Sequence, residues 1–479
     1  MDWKASQHGA WKELHMNTAR HTNEFSDFPW KKEDYSEKAG VEVDRYDHFP
    51  HSTEAYQYLK AYADYFDIND SMILNTRVVN IERSGNNWIV HTEDENKAST
   101  KTTFNGLVMC QGRYQKGSNP LVNDGPLDKF SGDVIHSSNF NSIDMAKGKR
   151  VLVVGSSISG CDITGSIARD GKATSVDQSL RHVPYILNHV TDKGAICSEK
   201  LFSRLVVWLN LYLPESMNND GLRAAIVENF PLQVTKEISK DKALVPDPNI
   251  AKAGISYSYN WVETMKEGKF ALRQGIQSSQ GKNVTFTDSS SAEYDLIICA
   301  TGYSMDLSIL PQEVAETMEF VNPWSQQKEV ALYKWTLVPD IPTIAVCGAQ
   351  HLVGSPFPCF EMNARWIANI FANDTDKKSL ASRPSEAVIT KAAADFKAFR
   401  EASAEHKSDM AALATELMAQ EMGLTPSKMW ALWNPSKLLF AHPYSSYFRT
   451  DPKRNDPKVA AKAQKLFDFL VNNVPVGLK

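Results

Sequence analysis

The sequence predicts an α/β protein built around parallel sheets, and two observations carry this prediction. Residues 149–160 form an apolar run, then a Gly/Ser turn and the start of a helix, and a further strand follows at 173–179. Residues 106–112 and 296–302 are apolar strands that both end in cysteine and then glycine. A glycine at a strand end lets the backbone approach a ligand closely, so both strands are expected to end at nucleotide sites.

The order of these segments predicts two domains, one inserted in the other. Residues 1–140 and 300–479 are assigned to one domain, and residues 141–299 to the inserted domain. Within the first, residues 52–66 are predicted to form an amphipathic helix capped by Ser52 or Thr53. Near-alternating strands are predicted at 72–83 and 87–94. Further strands are predicted at 283–288 and 294–303, where the inserted domain ends and the chain returns to the first domain. The tail is expected to be helical at 385–422 and 458–472.

Composition excludes several functional classes. The 479 residues carry a formal net charge of −5, which leaves no basic excess for nucleic acid. The six cysteines form no C-x-x-C pair and no zinc spacing, which suits a reducing cytosol, with buried thiols as the simple interpretation. No signal peptide opens the sequence, and the apolar run 201–213 is too short for a bilayer. We expect a cytoplasmic protein without membrane contact.

The Gly/Ser turn has the spacing of a dinucleotide-binding fingerprint. Gly155 and Gly160 occupy the outer glycine positions of G-x-G-x-x-G, while Ser157 replaces the middle glycine. The free N–H groups and dipole of the following helix favour a pyrophosphate, and Ser156, Ser157 and Ser159 could contribute further contacts. The alternative is a tight turn that binds nothing. The pattern predicts a Rossmann-like domain.

The residues about 20 positions later select between the two nicotinamide cofactors. Ser179 and Arg181 suit the 2′-phosphate of NADPH, because arginine pairs with phosphate through two parallel hydrogen bonds. Asp177 is the counter-argument, since an acidic residue directed at the ribose favours NADH. The sequence therefore favours NADPH, provided that Asp177 points elsewhere.

Residues 130–140 resemble the signature of flavin-containing monooxygenases, F-x-G-x-x-x-H-x-x-x-[YF]. The resemblance extends to FSDFP at 25–29, ATGY at 300–303 and EMNARW at 361–366, and covers about residues 9–372. Phe140 followed by asparagine is closer to the N/S-oxygenating branch than to the Baeyer–Villiger branch, which usually has Trp. The signature residues are Phe130, Gly132, His136 and Phe140.

This resemblance implies an enzyme that uses FAD, NADPH and O2. It implies oxygenation of a small amine or thioether through a C4a-hydroperoxyflavin, with the cofactors carrying the chemistry. Asn17 matches the family asparagine at the flavin edge, where an amide can donate a hydrogen bond. Thr301 and Gly302 would lie beside the flavin. His136 is expected to bond the backbone at the domain junction, and the two signature phenylalanines to pack.

The sequence departs from the family at its start. Family members open with a glycine fingerprint for FAD, and none lies upstream of Gly155. We therefore expect a flavin-type domain that is incomplete at its N-terminus and lacks its first βαβ unit, with an inserted NADPH-type domain and a helical tail. The alternatives are a catalytically impaired NADP-binding remnant and a Baeyer–Villiger enzyme. A disulfide reductase is disfavoured by the missing C-x-x-C. The oligomeric state stays open, a homodimer included.

Overall fold

The computed structural model describes residues 10–30, 48–170, 172–190, 253–258, 260–323, 325–350, 352–372 and 383–402, with scattered positions between 217 and 247 and between 409 and 422. The predicted helix at 458–472, the apolar run 201–213 and Cys197 lie outside these residues. None of the helices within the described ranges is long and apolar enough to cross a bilayer.

The described ranges contain both α-helices and β-strands. The helices are α1 (Ser52–Tyr65), α2 (Ile158–Asp170), α3 (Trp261–Lys266), α4 (Gln312–Glu316), α5 (Phe357–Phe371) and α6 (Glu386–Ala402). The strands are β1 (Arg77–Ser84), β2 (Asn87–Glu93), β3 (Ser99–Phe104), β4 (Leu107–Met109), β5 (Lys116–Gly117), β6 (Asp133–His136), β7 (Arg150–Val154), β8 (Ser175–Ser179), β9 (Tyr185–Leu187), β10 (Ile255–Tyr257), β11 (Ala271–Arg273), β12 (Ile276–Gln280), β13 (Asn283–Phe286), β14 (Ser291–Glu293), β15 (Leu296–Cys299), β16 (Tyr303–Ser304), β17 (Glu319–Val321), β18 (Lys328–Val330), β19 (Ile344–Val346), β20 (Leu352–Val353) and β21 (Asp409–Met410).

A five-stranded parallel sheet forms the centre of the inserted region. Its strand order is β11-β8-β7-β15-β6, and every neighbouring pair is parallel. Strands β7 and β15 are buried because hydrophobic clusters cover both faces, which explains their continuous apolar sequences. The sheet also contains β6, so it extends upstream of the boundary expected at residue 141.

A second parallel pair joins segments that are far apart in the sequence. Strand β4 pairs with β19, and Leu107, Val108 and Met109 lie opposite Ile344, Ala345 and Val346. Strands β1, β2 and β3 form an antiparallel meander, as do β12, β13 and β14. The fold is thus the mixed α/β fold that the sequence predicts.

Helix α1 begins with a capping box, but at a different residue from the one expected. His51 is the N-cap, and its Nδ1 accepts a hydrogen bond from Thr53 N at 3.2 Å. In turn, the Glu54 carboxylate accepts a hydrogen bond from His51 N at 2.8 Å. The prediction of Ser52 or Thr53 was wrong because an imidazole nitrogen can accept like a hydroxyl, and histidine is rarely considered as a cap.

Candidate functional site

The glycine turn at the end of β7 needs both of its outer glycines. Gly155 has φ +126°, and a Cβ there would lie 2.3 Å from the carbonyl oxygen of Ala300. A Cβ on Gly160 would lie 2.3 Å from the carbonyl oxygen of Gly155. The first glycine therefore lets the turn pass the neighbouring strand, and the second lets α2 pack on the turn.

The serines of this turn leave a polar surface at the start of α2. Ser157 is exposed, while Ser156 and Ser159 are half-buried. The first backbone N–H groups of an α-helix have no acceptor within the helix, and they carry its positive dipole end. Cys161 N is the first to bond back along the helix, to Ser157 O at 3.0 Å. The arrangement suits a bound pyrophosphate.

Asp177, Ser179 and Arg181, the three residues considered for the ribose end of the cofactor, have different surroundings at the end of β8. Asp177 Oδ2 accepts hydrogen bonds from Arg273 Nε at 2.8 Å and from the Tyr294 hydroxyl at 2.6 Å. Ser179 is buried, and its hydroxyl donates to Gln274 O at 2.7 Å. Arg181 is exposed.

These contacts change the balance between the two nicotinamide cofactors. Asp177 is occupied by an ion pair within the sheet, so the main counter-argument to NADPH weakens. The hydroxyl proton of Ser179 is already committed to a carbonyl, which makes this serine a weaker phosphate donor than expected. Arg181 is the residue of the three that best fits a 2′-phosphate, and its role remains a prediction.

His136 connects the parallel sheet to the returning chain. Its Nε2 donates to Gly302 O at 2.9 Å, and its Nδ1 accepts from Ser138 N at 3.1 Å. The two contacts define the neutral tautomer with the proton on Nε2. Burial lowers the pKa of His136, opposed by its bond to the Gly302 carbonyl. The histidine thus makes the backbone hydrogen bond that was expected at the junction.

Two short strands cross directly over this imidazole. Strand β5 pairs antiparallel with β16, with Gly117 opposite Tyr303. A Cβ on Gly117 would lie 2.4 Å from His136 Nδ1, so the crossing has no room for a side chain there. The Tyr303 ring stands edge-on to the imidazole at 4.9 Å between centroids. The histidine, the glycine and the tyrosine together fix the path of both connections.

The other signature residues are packing residues. A Cβ on Gly132 would lie 2.8 Å from the Phe130 ring and 2.9 Å from Asp295 O, so only glycine fits between them. Phe140 is fully buried and packs edge-on against Trp11 at 5.9 Å between centroids. The residues of the signature therefore serve mainly to attach the five-stranded sheet to the rest of the chain.

Thr301 and Gly302 also take part in this junction. The Thr301 hydroxyl donates to Ser118 O. Gly302 has φ +90°, and a Cβ on it would lie 2.5 Å from Gln327 Nε2. The glycine is thus required by the backbone, and the threonine hydroxyl proton is committed to the chain itself. A flavin contact from either residue remains a prediction.

Asn17 lies on a segment that runs beside residues 48–52. Met16 N donates to Pro50 O at 2.9 Å, and Arg20 N donates to His48 O at 2.7 Å. The Asn17 side chain is half-buried and makes no hydrogen bond with the described part of the protein. An amide that is held in place by its backbone and has open hydrogen-bonding capacity is suited to contact a ligand.

Two buried carboxyl groups near this segment were not singled out as candidate site residues. Glu361 on α5 accepts from Ser26 N at 2.9 Å and from the Ser26 hydroxyl at 2.5 Å. Glu24 accepts from Trp30 N at 2.9 Å. Burial raises the pKa of Glu24 to about 8, and the nearby Glu361 adds to the effect. Each carboxylate is in or beside a segment that carries the resemblance, but only the fold shows that the segments touch.

A family model and several known proteins match this chain. The model described as flavin-binding monooxygenase-like matches residues 3–449. Flavin-containing monooxygenase 5 of Cavia porcellus is 26% identical over 394 residues, which cover 80% of this chain and 67% of that protein. For its Homo sapiens counterpart the identity is 26%, with 78% and 65% covered. The chain thus spans about two thirds of the length of these curated relatives.

Solved structures of the same kind share the fold. The S-allyl-L-cysteine S-oxygenase of Allium sativum superposes with a TM-score of 0.58 at 18% identity, covering 96% of this chain and 84% of that one. A cyclohexanone-bound cyclohexanone monooxygenase gives 0.56 at 15% identity, covering 86% and 88%. The family match spans nearly the whole sequence and includes the glycine turn and the junction described above. This chain belongs to the flavin-binding monooxygenase-like family, whose members use FAD and NADPH.

Proposed function

We propose that this protein is an NADPH-dependent flavin monooxygenase that uses O2 to oxygenate a soft nitrogen or sulfur nucleophile in a small amine or thioether. The observation that carries the proposal is the glycine turn between β7 and α2, together with the His136 junction that attaches its sheet. Phe140 at the end of the signature supports the N/S-oxygenating branch. An Allium S-oxygenase with the same fold is consistent with sulfur as the acceptor.

NADPH fits the residues of the inserted sheet. Its pyrophosphate would sit at the N-terminus of α2, beside Gly155 and the exposed Ser157. Arg181 would pair with the 2′-phosphate at the end of β8. Both positions lie at the carboxyl edge of the parallel sheet, where ligands of such folds bind.

FAD fits the other region only in part. Strands β4 and β19 end at the same edge, and Gly112 has φ +70° with open space where a Cβ would be. Among the described residues upstream of Gly155, no strand, glycine turn and helix are arranged for a pyrophosphate. Bound flavin would supply the activation of O2. The residues that we assign to orient it are Asn17, through its amide, and the backbone at Gly302.

The first test is flavin retention by the full chain. FAD is added, the protein is desalted, and the visible absorption spectrum is recorded. The proposal expects oxidised flavin near one per chain, followed by NADPH oxidation that depends on thioethers or amines. NADPH binding without retained flavin would reject the monooxygenase proposal for this chain. It would favour the alternative, a catalytically impaired NADP-binding protein.

A Baeyer–Villiger activity is the second candidate, because cyclohexanone monooxygenase has nearly the same TM-score as the S-oxygenase. Turnover of a cyclic ketone, compared with turnover of a thioether under the same conditions, separates the two. Faster lactone formation would favour the second candidate. The proposal also includes a cytoplasmic location, no nucleic-acid or membrane partner, and assembly as a homodimer.

A further inference from the structure

Two cysteines lie side by side at the carboxyl ends of β4 and β19. Met109 lies opposite Val346, and Cys347 N donates to Met109 O at 2.9 Å. Cys110 and Cys347 directly follow these two residues, so the parallel register places them opposite each other. Neighbouring strands are about 4.8 Å apart, which falls within the roughly 4.4–6.8 Å between Cα atoms that a disulfide spans. The Cys347 thiol also approaches Phe360 O of α5 at 4.0 Å.

The two thiols have different surroundings. Cys110 is exposed, whereas Cys347 is half-buried and lies near Cys359 on α5. The neighbouring Cys347 thiol lowers the pKa of Cys110 to about 7, whereas the neighbouring Cys110 and burial raise the pKa of Cys347. Cys110 is therefore the more accessible and more reactive thiol, and Cys347 is the neighbouring thiol that could react with an oxidised Cys110.

We propose that Cys110 and Cys347 form an oxidant-sensitive thiol pair, in which Cys110 reacts first with a peroxide and Cys347 closes a disulfide. The Cys110 thiolate attacks the O–O bond of hydrogen peroxide, an S–O bond forms, and the departing hydroxide becomes water with the thiol proton. The Cys347 sulfur then attacks the Cys110 sulfenic sulfur. The S–S bond forms, the S–O bond breaks, and a second water leaves with the Cys347 proton. Two thiols are thereby oxidised and one peroxide is reduced to two waters.

Cys299 provides a matched comparison within the same molecule. It also ends an apolar parallel strand, but its register partners are His136 and Val154, so no thiol faces it. It is buried, and burial raises the pKa of its thiol to about 12. A metal site is a poorer explanation of the pair, because the described residues contain no group of three or more His, Cys, Asp and Glu that could hold a metal ion.

The test is peroxide oxidation of the full chain under non-reducing conditions. Hydrogen peroxide is added and then removed with catalase, free thiols are alkylated, and intact mass and peptide mapping follow. The wild-type chain is expected to lose two free thiols and to yield a peptide cross-linked between Cys110 and Cys347. The variant Cys110→Ser should slow thiol loss by about tenfold or more. The variant Cys347→Ser should stop at a sulfenic acid that dimedone traps.

The control variant Cys299→Ser should form the disulfide at the wild-type rate. NADPH titration of every variant shows whether the inserted domain is intact, so that misfolding is separated from chemistry. A cross-link between Cys347 and Cys359, an intermolecular disulfide at Cys110, or unchanged thiol loss in Cys110→Ser would each overturn the assignment. These readouts require neither flavin nor turnover, so they are independent of the proposed function.

Discussion

Strands β4 and β15 have nearly the same sequence pattern and different surroundings. Each is a short apolar strand that ends in cysteine and, two or three residues later, glycine. Strand β15 lies between β7 and β6 and is fully buried. In the described part of the protein β4 has one neighbour, β19, and Val108 is 38% exposed. The sequence pattern thus predicts a strand whose end faces a ligand. The number of neighbouring strands, two for β15 and one for β4, decides how firmly that strand end is held.

The glycines that follow β4 and the two central strands β7 and β15 show the same difference. Gly155 and Gly302, on the side of the five-stranded sheet, have positive φ and touch other parts of the chain. Gly112, on the β4 side, also has positive φ, but nothing lies near the position of its Cβ. Large exposed side chains such as Ile73 and Leu74 occur in the same half of the sequence as β4. Substitutions on the two sides should therefore have unequal effects.

The largest effect is expected for Gly155→Ala compared with Gly112→Ala. The first adds a Cβ 2.3 Å from a backbone oxygen, at φ +126°, whereas the second adds one in open space. We expect a loss of about 4 kcal/mol or more in unfolding free energy for the first. The second should cost about 1–2 kcal/mol, from the left-handed conformation alone. Urea unfolding measures both, and equal losses would remove the contrast between the two sides.

The next effect concerns the buried carboxyl group of Glu24. Its pKa is raised from 4.5 to about 8, mainly by burial, so the folded state holds a proton that the unfolded chain releases. The stability from this proton is present below pH 4.5 and is lost as pH rises through 8. Glu24→Gln should therefore stabilise the protein by roughly 2–4 kcal/mol at pH 8.5 and little at pH 4.

The exposed Glu313 is the control for that comparison, since Glu313→Gln should change unfolding free energy by less than about 0.5 kcal/mol. Both variants are compared with wild type by urea unfolding across the pH range. A constant difference between wild type and Glu24→Gln at all pH values would show that the carboxyl group is not titrating as expected.

A smaller loss is expected for His136→Ala at the junction. The variant removes one of the two donors to Gly302 O, since Ser118 N also donates to it, and it removes the ring that packs against Tyr303. Together these losses should cost about 2–3 kcal/mol. His136→Gln keeps a donor and should recover part of the loss. Because burial lowers the pKa of this histidine from 6.5, its contribution is present above pH 6.5 and is lost as pH falls. Unfolding at pH 5.5 and pH 8 checks this, and a larger loss at the lower pH would contradict it.

The smallest effect is expected for Arg181→Ala in cofactor choice. NADPH affinity should fall about tenfold, or about 1.4 kcal/mol, because the 2′-phosphate loses its partner. NADH affinity should stay unchanged, since NADH carries no such phosphate. Fluorescence titration of both cofactors measures the difference. The adjacent exposed residue offers a control in His182→Ala, and an equal loss for the two cofactors would place Arg181 outside the phosphate site.

The sequence predicted those elements whose structure depends on the order of neighbouring residues. The strand, glycine turn and helix at 150–170 were confirmed, because an apolar strand followed by this glycine spacing and a helix is compatible with few other local conformations. Strand β15 was predicted from its continuous apolar run, and helix α1 from its helical periodicity. The start of α1 was assigned to the wrong residue, because a histidine cap has no strong local signal. The sheet also includes β6, which the sequence did not predict, because pairing between strands 163 residues apart leaves no local pattern in either segment.

The sequence by itself determined the fold class, the dinucleotide turn and the family, because these depend on residue order and spacing. Only the tertiary structure decided which polar groups are already occupied. It paired Asp177 with Arg273, committed the Ser179 hydroxyl to a carbonyl, and brought Glu24 near Glu361. It also placed Cys110 beside Cys347 across 237 positions, where the sequence showed single cysteines. Such contacts arise from strand register and packing, which residue order constrains only through the whole fold.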